Sequence, residues 1–396
     1  MSTSSARAGR LGYLAAAVVF AVGMAGTTLP TPLYGLYRDR LGFSELMVTI
    51  VFAAYAVGVI FVLLTAGDLA DRIGRRPVLW TGLALSAASA GCFLLEDGLP
   101  LLFTGRVLSG FAAGLFSGAA TATVLELAPP GGQARAGFAA TAANMGGLGC
   151  GPLLAGILAE YTAHPLTLPF QVHLVLLGLA AVVVQRLPET VRDPVWGLPR
   201  PRGVVVPAQV RGVFAPAALA AFAGFALLGL FTAVAPGFLA ETLHQRNLAV
   251  TGAVVFSVFL ASTLGQAAGG RVPPPRALPL GCAVLVAGLV LVGLSLLLET
   301  APLLVLGAVC GGAGQGLAFR AGLTSVGAAA PAAGRAATIS AFFVVAYCGI
   351  SLPVVGVGAL AVTLGLRTAG LVFAGCVIVL ASAVGAYVVR RPLPTA

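Results

Sequence analysis

An eleven-residue stretch, Gly67 to Pro77, concentrates charge between two long apolar runs. It reads Gly-Asp-Leu-Ala-Asp-Arg-Ile-Gly-Arg-Arg-Pro and holds two acids and three arginines, in a chain of which 9% of residues are charged. Because charged side chains are costly in hydrocarbon, the cluster predicts a short loop at one face of a membrane. Arginine offers a planar fork of donors to a carboxylate, so Asp71 and Arg75 are suited to lock this loop against neighbouring helix ends.

The other residues of the stretch have separate expected roles. Gly67 and Gly74 permit the close approach and the positive-φ backbone that a tight turn between helices needs. For Arg72 and Arg76, a solvated loop that satisfies the positive-inside rule is as good an interpretation as a role in ion pairing.

Two charged residues of the predicted fourth helix add to the candidate chemistry. Arg106 is the one ionisable residue near the middle of a span in the first half of the chain. An arginine there favours a functional role facing a cavity or a partner, and snorkelling to the interface is the alternative. Glu126, at the other end of the helix, is expected at the same face as Arg75 and is its candidate ion-pair partner.

A run of small residues marks the predicted fifth helix. Residues 147–156 read Gly-Leu-Gly-Cys-Gly-Pro-Leu-Leu-Ala-Gly. Gly147, Gly151 and Gly156 form a smooth face for close helix contact, and Pro152 softens the helix.

Polar residues inside other predicted spans are candidates for the lining of a central cavity. They offer hydrogen bonds and stacking surfaces without a fixed anion, which favours a neutral or anionic small organic molecule over an obligate cation. An interhelical hydrogen bond is the alternative for each, and for the arginine among them it is snorkelling. The set comprises Tyr34, Tyr55, Asn144, Gln266, Gln315, Arg320 and Tyr347.

Membrane-spanning helices must position these residues. With 59% hydrophobic residues and a mean hydropathy of +1.03, the chain is not a soluble globule. A span needs about 20 apolar residues, so 396 residues have room for a dozen. The predicted helices cover about 11–36, 43–66, 78–95, 100–127, 136–160, 170–187, 214–239, 248–268, 278–298, 303–328, 336–360 and 368–389.

The two halves of the chain repeat each other at an offset of 202 residues. Seven glycine and proline pairs, among them Gly110 with Gly312 and Gly147 with Gly349, share this offset. The repeat predicts an all-α membrane protein of two pseudo-symmetric six-helix halves, with a substrate site at their interface. We expect the first bundle to span residues 1–190, a cytoplasmic linker 191–213 and the second bundle 214–396.

The distribution of arginine predicts the orientation of the chain. All 22 basic residues are arginine; with a cytoplasmic N-terminus, sixteen lie in inner segments and only Arg38, Arg40, Arg246 and Arg367 in outer ones. This excess predicts a multi-pass protein of the inner (plasma) membrane with both termini cytoplasmic.

The charged stretch, Gly-x-x-x-Asp-Arg-x-Gly-Arg-Arg, resembles the loop signature between helices two and three of the major facilitator superfamily of transporters. The run Gly-x-x-x-Gly-Pro-x-x-Ala-Gly is similar to the motif of its antiporter branch, with Ala155 where glycine is usual. Arg106 occupies the family's buried-arginine position. The resemblance covers essentially the whole chain and implies the twelve-helix fold of this superfamily.

The resemblance implies that the charged loop works as a conformational latch. Asp71 would dock near the positive dipole end of helix eleven, and Arg75 with Glu126 would complete a charge relay. We expect this set to hold the outward-facing state and to break when the protein opens inward. The full set is Gly67, Asp71, Arg72, Gly74, Arg75, Arg76 and Glu126.

The function implied is that of a drug or metabolite exporter. It would move small neutral or anionic organic compounds by alternating access and proton-coupled antiport, and could contribute to antibiotic resistance. An importer or facilitator of a sugar, nucleobase or organic acid is the alternative, and a non-transporting membrane sensor is a more distant one. No Asp or Glu is expected at mid-membrane, which leaves Glu45, Glu126 and His173 as candidate proton carriers.

Other classes of protein are disfavoured. The net charge of +10 is explained by orientation in the bilayer rather than by nucleic acid. The sequence contains no His-Glu-x-x-His, no Gly-x-Ser-x-Gly and no metal-ligand spacing, so we expect neither an enzyme nor a cofactor. The expected partners are a small-molecule substrate, the lipid bilayer and protons, and the expected state is a monomer.

Overall fold

The computed structural model describes residues 3–95, 98–195, 206–332 and 334–391, with side chains described from residue 12 onwards. Part of the expected linker, residues 196–205, lies outside these ranges. The described chain contains twelve helices that are long and apolar enough to span a membrane. We number them α1 to α12: Gly12–Leu41, Glu45–Thr65, Arg75–Leu95, Leu99–Glu126, Gln133–Tyr161, Leu168–Arg186, Ala208–Thr242, Leu248–Gly269, Pro274–Leu298, Ala301–Ala329, Arg335–Leu364 and Leu366–Arg390.

Helix α1 is broken near one end by its two prolines. Its helical backbone, which begins at Thr3, ends at Thr28. A tight turn at Thr31–Leu33 follows, and the short helix Tyr34–Leu41 completes the span. Because proline has no backbone N–H, the break leaves carbonyl groups at the end of Thr3–Thr28 without intrahelical donors.

Helix α7 is also irregular. It begins at Ala208, earlier than the expected residue 214, and contains two wide turns at Leu230–Val234 and Phe238–Thr242. Wide turns of this kind place an extra residue in the helix and often lie at functional sites.

The two halves use equivalent backbone contacts. Gly110 of α4 lies against the carbonyl of Tyr55 in α2, and Gly312 of α10 lies against the carbonyl of Val258 in α8. At each of these positions a side chain would collide with the backbone of the neighbouring helix, so only glycine fits. The same requirement in both halves explains why the glycines recur at one offset. Similar offsets relate the contacts Gly147–Ala21 to Gly349–Phe222, and Gly156–Leu248 to Gly358–Leu46.

The halves meet along two pairs of helices. Helix α2 packs along α11 and helix α5 packs along α8, and a cavity lies between the halves. We call the membrane face that carries the Gly67–Pro77 loop the loop face, and the face that carries Arg38, Glu45 and Glu241 the Arg38 face. Large apolar side chains are exposed along the spans, as expected of a surface against lipid.

Candidate functional site

The charged stretch forms a short helix and a glycine turn between α2 and α3. Residues Leu69–Ile73 are helical, and Gly74 joins them to α3 with φ of 108°. A side chain at Gly74 would need this left-handed backbone and would also lie only 2.8 Å from the carboxylate of Glu189. Both the backbone conformation and the lack of space for a side chain therefore require glycine at this turn.

Arg75 is the centre of the ion pairs at the loop face. Its Nη1 donates to Asp71 at 2.6 Å, while Nη2 and Nε donate to the two carboxylate oxygens of Glu126 at 2.7 and 3.2 Å. The ion pair expected between Arg75 and Glu126 is thus present, in the two-pronged geometry that arginine favours. The Thr190 hydroxyl donates to the same Glu126 carboxylate at 2.5 Å.

The segment after α6 covers the loop, a contact that no pattern in the sequence predicts. Glu189 accepts hydrogen bonds from the backbone N–H groups of Arg75 and Arg76 at 2.9 and 3.0 Å and so caps the start of α3. Burial alone would raise the pKa of the Glu189 carboxyl. The hydrogen bonds from the backbone N–H groups of Arg75, Arg76, Thr190 and Val191 lower the pKa by more than burial raises it, so it lies below its ordinary value of 4.5.

The Arg76 side chain is also engaged by α6, since its Nη2 donates to the carbonyl of Gln185 at 2.9 Å. The carbonyl of Arg72 accepts from Val195 N–H at 2.7 Å. Both residues therefore hold the segment after α6 in addition to facing solvent.

The loop and the start of α11 face a common cavity in this conformation. A cavity of about 240 Å³ lies between them, lined by Gly67, Asp71 and Arg75 on one side and by Ile339 and Ser340 of α11 on the other. Among the ion pairs of the described residues, Asp71 joins Arg75 of its own half. The docking of Asp71 on helix eleven is therefore not seen in this conformation and stays a prediction.

The central cavity between the halves has a volume of about 400 Å³. It extends toward the loop face, where Leu125 and Gly137 line it from the first half and Leu323 and Ile339 from the second. Aromatic rings form much of its middle: Tyr347 makes edge contacts with Tyr55 at 6.3 Å and with Phe225 at 5.8 Å between ring centroids. Among the described lining residues there is no Asp or Glu.

Arg106 lines this cavity and is only 1% exposed. Its Nη1 donates to the carbonyl of Thr27 at 2.5 Å, in the last turn before the break in α1. The guanidinium carbon lies 4.8 Å from the ring centre of Tyr55 and 5.4 Å from that of Phe52, and Nε has no hydrogen-bond partner. The side chain stays inside the protein rather than snorkelling to the interface.

The structure brings four of the seven candidate cavity residues together. Tyr55 and Asn144 from the first half and Gln266 and Tyr347 from the second line the cavity. The side-chain oxygen of Asn144 is buried without a partner. These groups offer hydrogen bonds within an otherwise apolar wall.

The other three candidates lie elsewhere. Tyr34 is buried beside a smaller cavity near the Arg38 face. Gln315 accepts a hydrogen bond from Ser262 at 2.6 Å, within the second half. Arg320 is exposed and lies along Gly270 at the end of α8, so its assignment to the cavity is corrected to the snorkelling alternative.

The small residues of α5 contact two different helices. Gly147 and Gly151 lie against the backbone of α1, and the Thr28 hydroxyl donates to the carbonyl of Leu148 at 2.6 Å. Gly156 lies against Leu248 of α8, in the other half. The same helix end is tied across by Glu160, which accepts from Leu248 N–H at 2.8 Å.

Further contacts close the Arg38 face between the halves. The Pro152 carbonyl lies against Gly252 of α8. Arg38 of α1 pairs with Glu45 of α2 and donates to Glu241 of α7 at 2.7 Å, which joins the first half to the second. Sequence reasoning missed this group, although the placement of three charges at helix ends of one face was a signal for it.

A twelve-helix bundle of two repeated halves, with a cavity between them that is sealed at one face, is the architecture of a membrane transporter. The sequence profile described as Major Facilitator Superfamily matches residues 15–284. The chain therefore belongs to the Major Facilitator Superfamily and is a multi-pass membrane transporter of small molecules rather than an enzyme.

Solved structures share this fold. A bacterial homologue of the human lysosomal transporter Spinster, in an inward-facing and unoccupied conformation, is 16% identical with a TM-score of 0.72, covering 98% of each chain. A POT family transporter in complex with 5-aminolevulinic acid is 13% identical with a TM-score of 0.74, covering 96% of this chain and 95% of that one. The human organic anion transporter MFSD10 is 16% identical with a TM-score of 0.67, over 95% and 99%.

Among curated proteins, the chain is similar to the quinolone resistance protein NorA of Staphylococcus aureus. The two are 26% identical over 136 residues, which is 34% of this chain and 35% of NorA. The chain thus matches only about a third of the length of that relative.

Proposed function

We propose that this protein exports small, largely apolar organic compounds, neutral or anionic, from the cytoplasm by alternating access. The sixteen arginines expected at the loop face against four at the Arg38 face support a cytoplasmic loop face and cytoplasmic termini, in the inner (plasma) membrane of the cell. The conformation described then opens its cavity to the cytoplasm, the side from which an exporter takes its substrate.

The central cavity is the observation that carries this proposal. Its wall combines aromatic and aliphatic side chains with a few polar groups, which suits drug-like molecules and metabolites better than sugars. The likeness to NorA, whose name refers to quinolone resistance, supports export and a contribution to antibiotic resistance.

Proton antiport is the form of coupling that we propose, on the likeness of Gly147–Gly156 to the antiporter motif. The candidate proton carriers lie outside the described lining of the cavity. Glu126 is paired with Arg75 and Glu45 with Arg38, while His173 is 1% exposed and lies 3.2 Å from the Ser86 hydroxyl inside the first half. The distance of these three groups from the described cavity lining favours a second candidate function, that of a facilitator or importer that needs no proton carrier in the cavity.

The latch role of the charged loop belongs to the same proposal, but it is narrowed to Asp71, because the Arg75–Glu126 ion pair is intact in the conformation described. In the outward-facing state the 240 Å³ gap beside Ser340 would close, and Asp71 would meet the positive dipole end of α11. A monomer contains every part of this machinery.

Transport by the purified protein in liposomes tests the proposal. An imposed pH gradient, an internal pH dye and a panel of antibiotics and metabolites separate the possible forms of coupling. Substrate-dependent proton movement supports antiport, whereas substrate equilibration with a silent dye supports the facilitator. No movement of any panel compound, with folded protein in the membrane, would contradict export.

A separate experiment measures the orientation of the chain in the membrane. Reporter fusions after Arg390 and after Glu241 should report opposite sides of the membrane, with the first in the cytoplasm. A cytoplasmic report from both would contradict the assignment of the Arg38 face.

A further inference from the structure

Arg106 is a buried cation that the described residues leave without a counter-ion. It contacts one carbonyl, at Thr27, and the faces of Phe52 and Tyr55. The Thr27 carbonyl belongs to a helix C-terminal end, which carries roughly half a negative charge, so about half of the arginine charge stays uncompensated. Burying an unpaired charge is expensive, and a pairing anion would recover much of that cost.

Carboxylates of the neighbouring helices are too distant to supply this anion. Glu126 lies twenty residues from Arg106 along α4, roughly 30 Å at 1.5 Å per residue, and is engaged by Arg75. Glu45 lies at the Arg38 face with Arg38. The described lining of the cavity contributes no Asp or Glu at all.

The cavity around Arg106 has room for an organic molecule. Its volume of about 400 Å³ falls within the range of about 300–1,000 Å³ for ligand sites. Tyr55, Phe225 and Tyr347 present ring edges and faces, and Phe319 continues this surface 5.3 Å from Phe225. Asn144 adds a side-chain oxygen without a partner.

We infer that the substrate is an organic monoanion, an aromatic carboxylate in its simplest form, whose carboxylate pairs with Arg106 while its ring contacts Tyr55, Phe225 and Tyr347. The inference rests on the proposed function and narrows its substrate class from neutral or anionic to anionic. The free Nε–H of Arg106, beside its Nη groups, supplies the second donor of a two-pronged bond. A hydrogen-bond donor on the substrate completes the contact with Asn144.

Matched pairs of ligands test the inference without any mutation. The thermal unfolding midpoint of the detergent-solubilised protein is measured with 2-naphthoate, benzoate and indole-3-acetate, and with the carboxamide of each. The carboxamides have nearly the same shape and no charge. We expect a saturable rise in the midpoint with at least one carboxylate and none with its amide, because only a ligand of the folded state stabilises it. Equal responses within every pair, or no response to any carboxylate, would overturn the inference.

Variants then test whether Arg106 is the residue that binds the carboxylate. Arg106→Gln should weaken carboxylate binding on the order of 100-fold, and Arg106→Lys should retain part of the affinity, because it keeps the charge and loses the fork. Arg320→Gln is the matched control, since Arg320 lies outside the cavity, and should bind as the unaltered protein does. Carboxylate binding that is unchanged in folded Arg106→Gln would overturn the assignment of the site.

Liposome flux separates a failure of this inference from a failure of the proposed function. Carboxylate binding that depends on Arg106, without transport of any compound, would contradict the export proposal and leave the anion site standing. Transport of neutral compounds at equal rates by the unaltered protein and Arg106→Gln would overturn the anion site and leave the export proposal standing.

Discussion

At the scale of single residues, Arg75 connects the parts of the loop face. Its side chain is 10% exposed and pairs with Asp71 and Glu126, whereas the Asp71 side chain is 60% exposed. An exposed ion pair contributes about 0–1 kcal/mol, so the bond from Arg75 to Asp71 adds little to stability. The proposed latch would then act in another conformation, in which the Asp71 carboxylate faces α11.

Asp71→Asn should therefore abolish substrate flux while changing the free energy of unfolding by less than about 1 kcal/mol. The amide keeps the shape of the side chain and removes the charge that would meet the helix dipole. Flux into liposomes and thermal unfolding of the same preparation are the two measurements. Asp39→Asn, at the Arg38 face and 72% exposed, is the matched control. Normal flux in Asp71→Asn would eliminate the latch.

Glu189 gives the loop face a dependence on pH. Because the folded-state pKa of Glu189 lies below its ordinary value of 4.5, its contribution to stability is fully present above pH 4.5 and is lost as the pH falls through the folded pKa. The stability difference between the unaltered protein and Glu189→Gln should be largest near pH 6 and should shrink below pH 4.5. Thermal unfolding at a series of pH values measures it, and a difference independent of pH would show that the carboxylate charge is not involved.

At the scale of helices, the small residues of α5 have two roles. Gly147 and Gly151 fix α1 within the first half, while Pro152 and Gly156 meet α8 of the second half. The contact at Gly156 joins the two halves at the Arg38 face, and we expect it to exist only while that face is shut. The motif is consequently both a packing element and part of a seal between halves.

Gly156→Leu should shift the protein toward opening at the Arg38 face, because the new side chain would collide with the backbone at Leu248. The measurement is the rate at which an impermeant maleimide, applied at that face, labels a cysteine at cavity residue 28 in a background without native cysteines. Gly293→Leu is the control, since Gly293 has nothing within 4 Å of an added side chain. Equal labelling of the two variants would argue against the seal.

The helices themselves were predictable from the sequence, because twelve apolar runs separated by charge leave few alternatives in a bilayer. The Arg75–Glu126 ion pair was also predictable, since both residues end helices at one face. The cavity was predictable only in part, because residue type does not fix the rotation of a helix: Gln315 and Gln266 are both polar, yet Gln315 turns to Ser262 inside its own half. The wide turns of α7 and the cap from Glu189 depend on tertiary contacts that no local pattern encodes.

At the scale of the whole molecule, the position of Arg106 determines how charge would move in a transport cycle. The cavity lies between two halves that close alternately, so a group at its centre is exposed first to one side and then to the other. With a bound monoanion the site would be neutral, and without it the site would carry the positive charge of Arg106. One negative charge would then leave the cytoplasm in each cycle of export without a proton carrier.

Efflux of an aromatic carboxylate from liposomes should therefore accelerate when the interior is made negative with a potassium gradient and valinomycin. A single charge moving through 100 mV gains about 2.3 kcal/mol, so the accumulation ratio at equilibrium should change roughly 50-fold. The direction of this effect does not depend on how the protein is oriented in the liposome, because the potential acts on the net charge moved. Arg320→Gln should show the same response. Antiport of one proton for each monoanion would move two charges per cycle and steepen the response to the potential. Flux that ignores the potential and follows the pH gradient would instead mean that a proton leaves together with the anion, and would contradict antiport.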